Sequence, residues 1–256
     1  MIPAVALPDF YRLVFHDRIG STSDEAKSLA ANGATEGTFV WALAQSHGHG
    51  RQGRSWISPQ GNLYASVILR PLVPVAIAAQ LSFVAALAVG DACIALAPEA
   101  AVSFKWPNDV LLAGRKTAGI LLESQAKPDG GVAWLVLGIG INLATYPLGV
   151  DYPATALSAT GVEITPATML AALARHFLDR YERWDGGKGF ATLRAAWLER
   201  AHGLGQPIRV RHGAAMLEGR FVGLDEDGAL RLETASGIRR IEAGEVFPAI
   251  ALSQRP

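Results

Sequence analysis

Between residues 102 and 142 the chain offers one strand after another, with no room for a helix between them. Strand-like residues 102–106 and 110–112 flank Pro107-Asn108, and Ala113-Gly114 turns the chain into 116–125. Pro128-Asp129-Gly130-Gly131 then turns it into the apolar run VAWLVLGIGIN. Connections this short join only antiparallel neighbours, because a parallel crossover needs about a dozen residues or more. A purely parallel, doubly wound sheet is therefore excluded. The expected fold is α+β, with a mixed, largely antiparallel sheet packed against helices.

The helices are legible from their periodicity and caps. Thr165 stands as N-cap before 166–184, where Leu170, Leu173, Phe177, Tyr181 and Trp184 form one apolar face. A second helix follows from Phe190 to about Ala201. Near the start of the chain, Ser23 is expected to cap a helix with Asp24 and Glu25 in its first turn, ended by Gly33 and Gly37. Residues 75–96 are apolar and Ala-rich between Pro74 and Pro98, yet they contain Gln80, Ser82 and Asp91 and lack basic flanks. They read as one helix lying on the sheet and not as a membrane span. Strands are expected at 38–45 and 62–69. After Gly203-Leu204-Gly205 the texture changes to five short strands (IRVR, MLEGRFVGL, ALRLET, IRRIE and VFPAI), expected to form a small SH3-like β-barrel. The expected domains are 1–204 and 205–256.

Charge and cysteine narrow the class. Lys and Arg number 23 and Asp and Glu 23, so the formal net charge is zero, and only 18% of residues are charged. No bulk electrostatic hold on nucleic acid is available. Cys93 is the single cysteine, which excludes an internal disulfide or a Cys-based zinc site; its apolar neighbours mark a buried side chain. The first residues, MIPAVALPDFYRLVF, lack the basic start of a signal peptide, so the chain is expected to be cytoplasmic with no membrane attachment.

Four clusters carry chemistry. Residues 46–61 form a long loop holding Gly48, Gly50, Gly53 and Gly61, with His49, Arg51, Arg54 and Trp56 among them. Closely spaced glycines let the backbone approach a ligand, and two arginines add charge suited to carboxylate or phosphate. The spacing fits neither a P-loop nor a dinucleotide turn. A second cluster, Phe104-Lys105-Trp106-Pro107-Asn108-Asp109 followed by Lys116-Thr117-Ala118-Gly119, brings two lysines and a carboxylate onto one hairpin. A third is Gly138-Ile139-Gly140-Ile141-Asn142: glycines alternating in an apolar strand leave space for a ligand against it. The fourth is Gly20-Ser21-Thr22-Ser23, whose hydroxyls serve a ligand or cap the following helix.

In this order the motifs resemble those of biotin–protein ligases, from the superfamily that also contains the lipoate ligases. The match runs through GSTS, Gln45, GHGRQGRSW, SPQGNLYAS, KWPNDVLLAGRKTAGILLE and GIGIN. The resemblance implies two steps: biotin and ATP give biotinyl-adenylate and pyrophosphate, and a carrier-protein lysine then takes the biotin and releases AMP. It implies that Ser21, Thr22, Ser23, Gln45, Gly48, His49, Gly50, Arg51, Lys116 and Gly119 bind biotin. It also implies that Arg51, Arg54, Trp56, Lys105, Asn108, Lys116 and Asn142 bind ATP, Asn142 as the adenine contact. Lys116, Arg51 and Asp109 carry the catalysis, with Asp109 orienting the incoming lysine or a Mg²⁺ ion. ATP with Mg²⁺ is implied as cosubstrate, no protein-built metal site is expected, and the partner is a biotin carboxyl carrier domain; a homodimer is allowed, and the sequence does not set the oligomeric state.

Two positions depart from the pattern: where these ligases usually carry arginine, this loop has His49 and Gln52. Some of these ligases add an N-terminal helix-turn-helix; here the first matching motif begins at Gly20, so no operator binding is expected. The alternatives are a lipoate or other acyl ligase of the superfamily, and a non-catalytic binding module.

Overall fold

A computed structural model describes residues 4–150 and 152–248. In chain order the elements are β1 (Arg12–His16), α1 (Thr22–Ala31), β2 (Thr38–Ala42), β3 (Leu63–Leu69), α2 (Val75–Ala78), α3 (Leu81–Leu96), β4 (Val102–Lys105), β5 (Asp109–Leu112), β6 (Arg115–Ala126) and β7 (Val132–Ile141). They continue with α4 (Pro166–Trp184), α5 (Phe190–Glu199), β8 (Pro207–His212), β9 (Ala215–Leu224), β10 (Leu230–Thr234), β11 (Gly237–Ile241) and β12 (Glu245–Pro248).

The first seven strands form one sheet in the order β1-β2-β3-β7-β6-β5-β4. Only β1 and β2 run parallel; every other neighbouring pair is antiparallel, as the successive hairpins require. At the β5–β6 turn Ala113 and Gly114 both have positive φ, which suits a tight hairpin. Side chains alternate between the two faces of this sheet. Leu63, Ala65, Val67 and Leu69 of β3 and Leu135, Leu137, Ile139 and Ile141 of β7 join the main core under the helices, whereas Ile68 and Val136 pack with Ala26 and Ala30 of α1. The sheet therefore lies between α1 on one face and α3, α4 and α5 on the other.

The expected single helix over 75–96 is two helices. At the junction Gln80 N–H donates to Ile77 O and Phe83 N–H to Gln80 O, tightening the turn to three-residue bonds, and Gln80 Oε1 accepts a buried bond from Trp184 Nε1 at 2.8 Å. This segment is long and apolar enough to cross a membrane by composition, but 72% of its most apolar window is buried against the rest of the chain. A cap also moved: Ser21 is the N-cap of α1, its Oγ accepting from Asp24 N at 3.4 Å, while the expected cap Ser23 lies inside the helix.

The C-terminal strands form a second, antiparallel sheet ordered β11-β10-β9-β8-β12. Among the described residues β11 and β12, at its edges, share no ladder. The last residues of the expected strand VFPAI lie outside the described residues. Trp106 ties this unit to the large sheet: its Nε1 donates to Gly228 O at 3.0 Å in a buried bond.

Candidate active site

The α1 face of the sheet carries the site because its strands go bare there. Gly119 of β6 pairs with Gly140 of β7, and Leu121 pairs with Gly138, so three glycines share that face. A cavity of about 1000 Å³ opens above them. A Cβ on Gly140 would lie 2.6 Å from the Trp56 indole, and one on Gly119 would lie 3.0 Å from it. The glycines thus do leave room, and what lies against two of them is the loop's own tryptophan. Gly138 makes room for Ser23, whose Oγ would be 2.5 Å from a Cβ there.

One end of the cavity is lined by neutral polar groups. Gln45 Oε1 accepts from Thr22 N at 2.8 Å and from Thr22 Oγ1 at 3.0 Å; Gln45 Nε2 donates to Ser58 Oγ at 2.9 Å. Ser66 Oγ donates to Thr22 Oγ1 at 2.9 Å and lies 3.2 Å from Ser23 Oγ. The resulting chain of hydroxyls and one amide is suited to a small polar head with both donors and acceptors.

At the other end charge is gathered. Asp109 Oδ1 lies 2.6 Å from Lys116 Nζ, and its Oδ2 lies 3.9 Å from Lys105 Nζ. The Lys116 ammonium also sits between the rings of Trp56 and Tyr152, at 5.5 and 5.1 Å. Arg51 Nη1 donates to Asn108 Oδ1 at 3.2 Å and to Gly244 O at 3.3 Å, and Asn108 Nδ2 donates to Ile120 O at 2.6 Å. Arg54 pairs with Glu245 at 2.6 Å. Burial outweighs the pull of Asp109 and holds Lys105 below the usual lysine range; burial likewise lowers Arg51. His202, on the same wall, is lowered by burial and then by Lys105. These four cations outnumber the two carboxylates beside them, Asp109 and Glu245, an arrangement built to receive further negative charge.

The loop flank toward α1 is charged as well. His49 Nε2 lies 2.7 Å from Asp24 Oδ2. Burial tends to raise the Asp24 carboxyl, but hydrogen bonds from Lys27 and His49 outweigh it and hold the group below its ordinary value. Elsewhere, burial pushes the Cys93 thiol up to about 12, which fits an inert packed side chain.

Of the residues singled out above, Thr22, Ser23, Gln45, His49, Gly50, Arg51, Arg54, Trp56, Lys105, Asn108, Asp109, Lys116 and Gly119 line this one cavity. Three do not. Ser21 spends its hydroxyl on the helix cap. Gly48 stands behind the lining, where a Cβ would meet Trp56 O at 2.5 Å and Ser58 Oγ at 2.6 Å. Asn142, expected against adenine, is buried, and its amide donates to Thr155 O at 3.1 Å. It fastens the segment after β7 instead of facing the cavity. Residues missing from the sequence reading are Tyr64 of β3, Tyr152 and the wall formed by His202, Ile208, Arg211, Glu245 and Phe247, with Ser66 of β3 buried behind the lining on Thr22 and Ser23. Ser66, a hydroxyl in the apolar run of β3, was the one with a local signal.

Residues 16–199 match the model of the biotin/lipoate A/B protein ligase family, and residues 203–247 match that of the biotin protein ligase C terminal domain. The chain belongs to this ligase family. It is similar to a biotin–[acetyl-CoA-carboxylase] ligase of Paracoccus denitrificans, 44% identical over 90% of this chain and 98% of that one. It is also similar to the bifunctional ligase/repressor BirA of Bacillus subtilis, 38% identical over 91% of this chain and 73% of the relative. Among solved structures it resembles the biotin protein ligase of Aquifex aeolicus in complex with biotin and ATP, with a TM-score of 0.80 and 29% identity over 93% of this chain and 98% of that one. The second family match covers β8 to β11 and reaches into β12; of these strands β8 and β12 supply this ligase's far cavity wall.

Proposed function

We propose that this chain activates biotin with ATP to biotinyl-5′-AMP and transfers the biotin to a lysine of a biotin carboxyl carrier domain. The observation that carries this reading is the gradient along one cavity: hydroxyls and an amide at one end, a glycine slot under Trp56 in the middle, four cations at the other. Biotin has the matching order of a polar ureido head, a thin apolar body and chain, and a carboxylate. In the first step a carboxylate oxygen attacks the α-phosphorus and the bond to the β-phosphate breaks, releasing pyrophosphate. Lys116, Arg51, Arg54 and Lys105 offset the charge that builds on those oxygens. In the second step the carrier amine attacks the activated carbonyl, losing a proton as AMP leaves.

Mg²⁺ enters with ATP. Among the described residues no three metal-binding side chains converge, and the two carboxylates at this end, Asp109 and Glu245, are paired with Lys116 and Arg54. Carboxylates already engaged by cations suit Mg²⁺ carried by phosphate oxygens better than a protein-built cage. In this reading residues 1–204 form the catalytic unit, residues 205–256 form the barrel that completes the nucleotide end, and the protein works in the cytoplasm.

The test is a mass measurement on a purified carrier domain incubated with the protein, ATP and biotin. A gain of one biotin on the carrier lysine supports the reading, and no gain with folded protein overturns it. ATP–pyrophosphate exchange driven by lipoate and not by biotin would assign the other branch of the family. Lys116→Ala should lower the exchange rate by about 10²–10³-fold, the scale set by losing one preorganised charge partner, with the circular dichroism spectrum unchanged.

A further inference from the structure

The glycine loop is fastened on two flanks. On the barrel side Arg51 and Arg54 hold Gly244 O and Glu245 with groups that stay charged at any ordinary pH. On the α1 side the fastening runs through a histidine. His49 meets Asp24 at 2.7 Å, Asp24 Oδ1 meets Lys27 Nζ at 2.9 Å, and Lys27 Nζ donates to Glu123 Oε1 of β6 at 2.9 Å. Four side chains thus join loop, helix and sheet, and His49 is the member carried by the loop.

We propose that His49 is a positioning residue: with Asp24 it clasps the glycine loop onto α1, and the clasp tightens when the imidazole carries a proton. The loop's hold on the ligand beneath it therefore weakens as pH rises through the histidine range. The inference rests on the function proposed above, since the ligand held by the loop is taken to be biotinyl-adenylate.

Asp24 supplies the charge that makes the clasp directional. A protonated imidazole gives it a charge-assisted hydrogen bond, whereas a neutral ring offers one ordinary donor. The charged groups facing the pair are Lys27 from α1 and, through Lys27, Glu123 from β6; within the loop, His49 forms a bridge pairing with Ser55. The two arginines of the loop are engaged on the barrel side. His49 and Asp24 are both about half exposed, which keeps the effect modest.

The experiment is a chase of pre-bound biotinyl-5′-AMP from the full chain, with the release rate followed between about pH 6 and pH 8. Release is expected to be about two- to five-fold faster at the alkaline end, the range of an exposed ion pair. His49→Arg should restore a permanent charge, giving slow release with no pH dependence. Asp24→Asn should release fast throughout. His202, on the opposite wall, would leave its own dependence intact in His49→Arg and is thereby separated. A flat profile in the wild type, or the same slope in His49→Arg, overturns the proposal. Failure of every form to make or bind the adenylate would instead overturn the function on which it rests.

Discussion

Lys105 is more useful to the site than to the fold. Its pKa is lowered in the folded chain, so the unfolded chain binds more protons between that lowered value and the ordinary lysine value of 10.5. Stability therefore rises with pH across this window, and below it the charged lysine costs the fold stability. Lys105→Met should raise Tm by about 1–3 °C while weakening ATP binding several-fold, as calorimetry and titration would show. Gly140 bears a different constraint. A Cβ there would lie 2.6 Å from the indole of Trp56, so Gly140→Ala must displace the ring. The expected outcome is a KM for biotin raised at least about ten-fold, with a stability loss of about 1–3 kcal/mol or less, measured by steady-state kinetics and denaturant melts. These two residues also show what could be read from sequence. Glycines alternating in an apolar strand announced a close approach, but nothing local said that a tryptophan from 84 positions earlier would make it. Three consecutive hydroxyl residues, Ser21, Thr22 and Ser23, all qualify as caps, and only the direction of the chain entering α1 selects Ser21. Asn142 ends its strand with an amide that could face either way, and the buried carbonyl of Thr155 decides it.

At the scale of elements, turn chemistry was the most legible part. The β5–β6 and β6–β7 hairpins lie where Ala113-Gly114 and the Pro128 to Gly131 turn place them, because short antiparallel connections are set by local residues. The α2–α3 junction was not legible, since neither Ala79 nor Gln80 breaks a helix and the reason for the tightened turn includes a bond to Trp184, far along the chain. The same distance hid the cavity wall contributed by β8 and β12. Trp106 is the joint between the two sheets, and its side-chain N–H is the only bond it makes across to Gly228 among the described residues. Trp106→Phe should remove that bond and leave the carbonyl unpaired, costing about 1–3 kcal/mol in chemical denaturation. ATP affinity should fall as well, because the unit carrying Glu245 and Phe247 loses one of its ties to the large sheet.

The whole molecule is electrically balanced, with a sequence pI of about 7.0, yet its cations are not evenly spread. Lys105, Lys116, Arg51 and Arg54 converge on one end of one cavity. Raising ionic strength from about 0.05 to 0.5 M shortens the screening length to a few ångströms, so binding at that end should weaken while the neutral hydroxyl end is spared. Titration calorimetry should show a several-fold loss of ATP affinity and little change for biotin. Equal sensitivity of both ligands would contradict the division of the cavity.

The far wall of that cavity also dictates an order of events during synthesis. Gly244, Glu245 and Phe247 follow every other described element except the rest of β12, and β12 closes by pairing with β8. A ribosome-bound chain can finish the seven-stranded sheet, the glycine slot and the hydroxyl end, with Arg51 already on Asn108, while Gly244 and Glu245 are still to be added. The end of the site lined by hydroxyls is complete first, and the wall that faces the cationic end is complete only when β12 has been made.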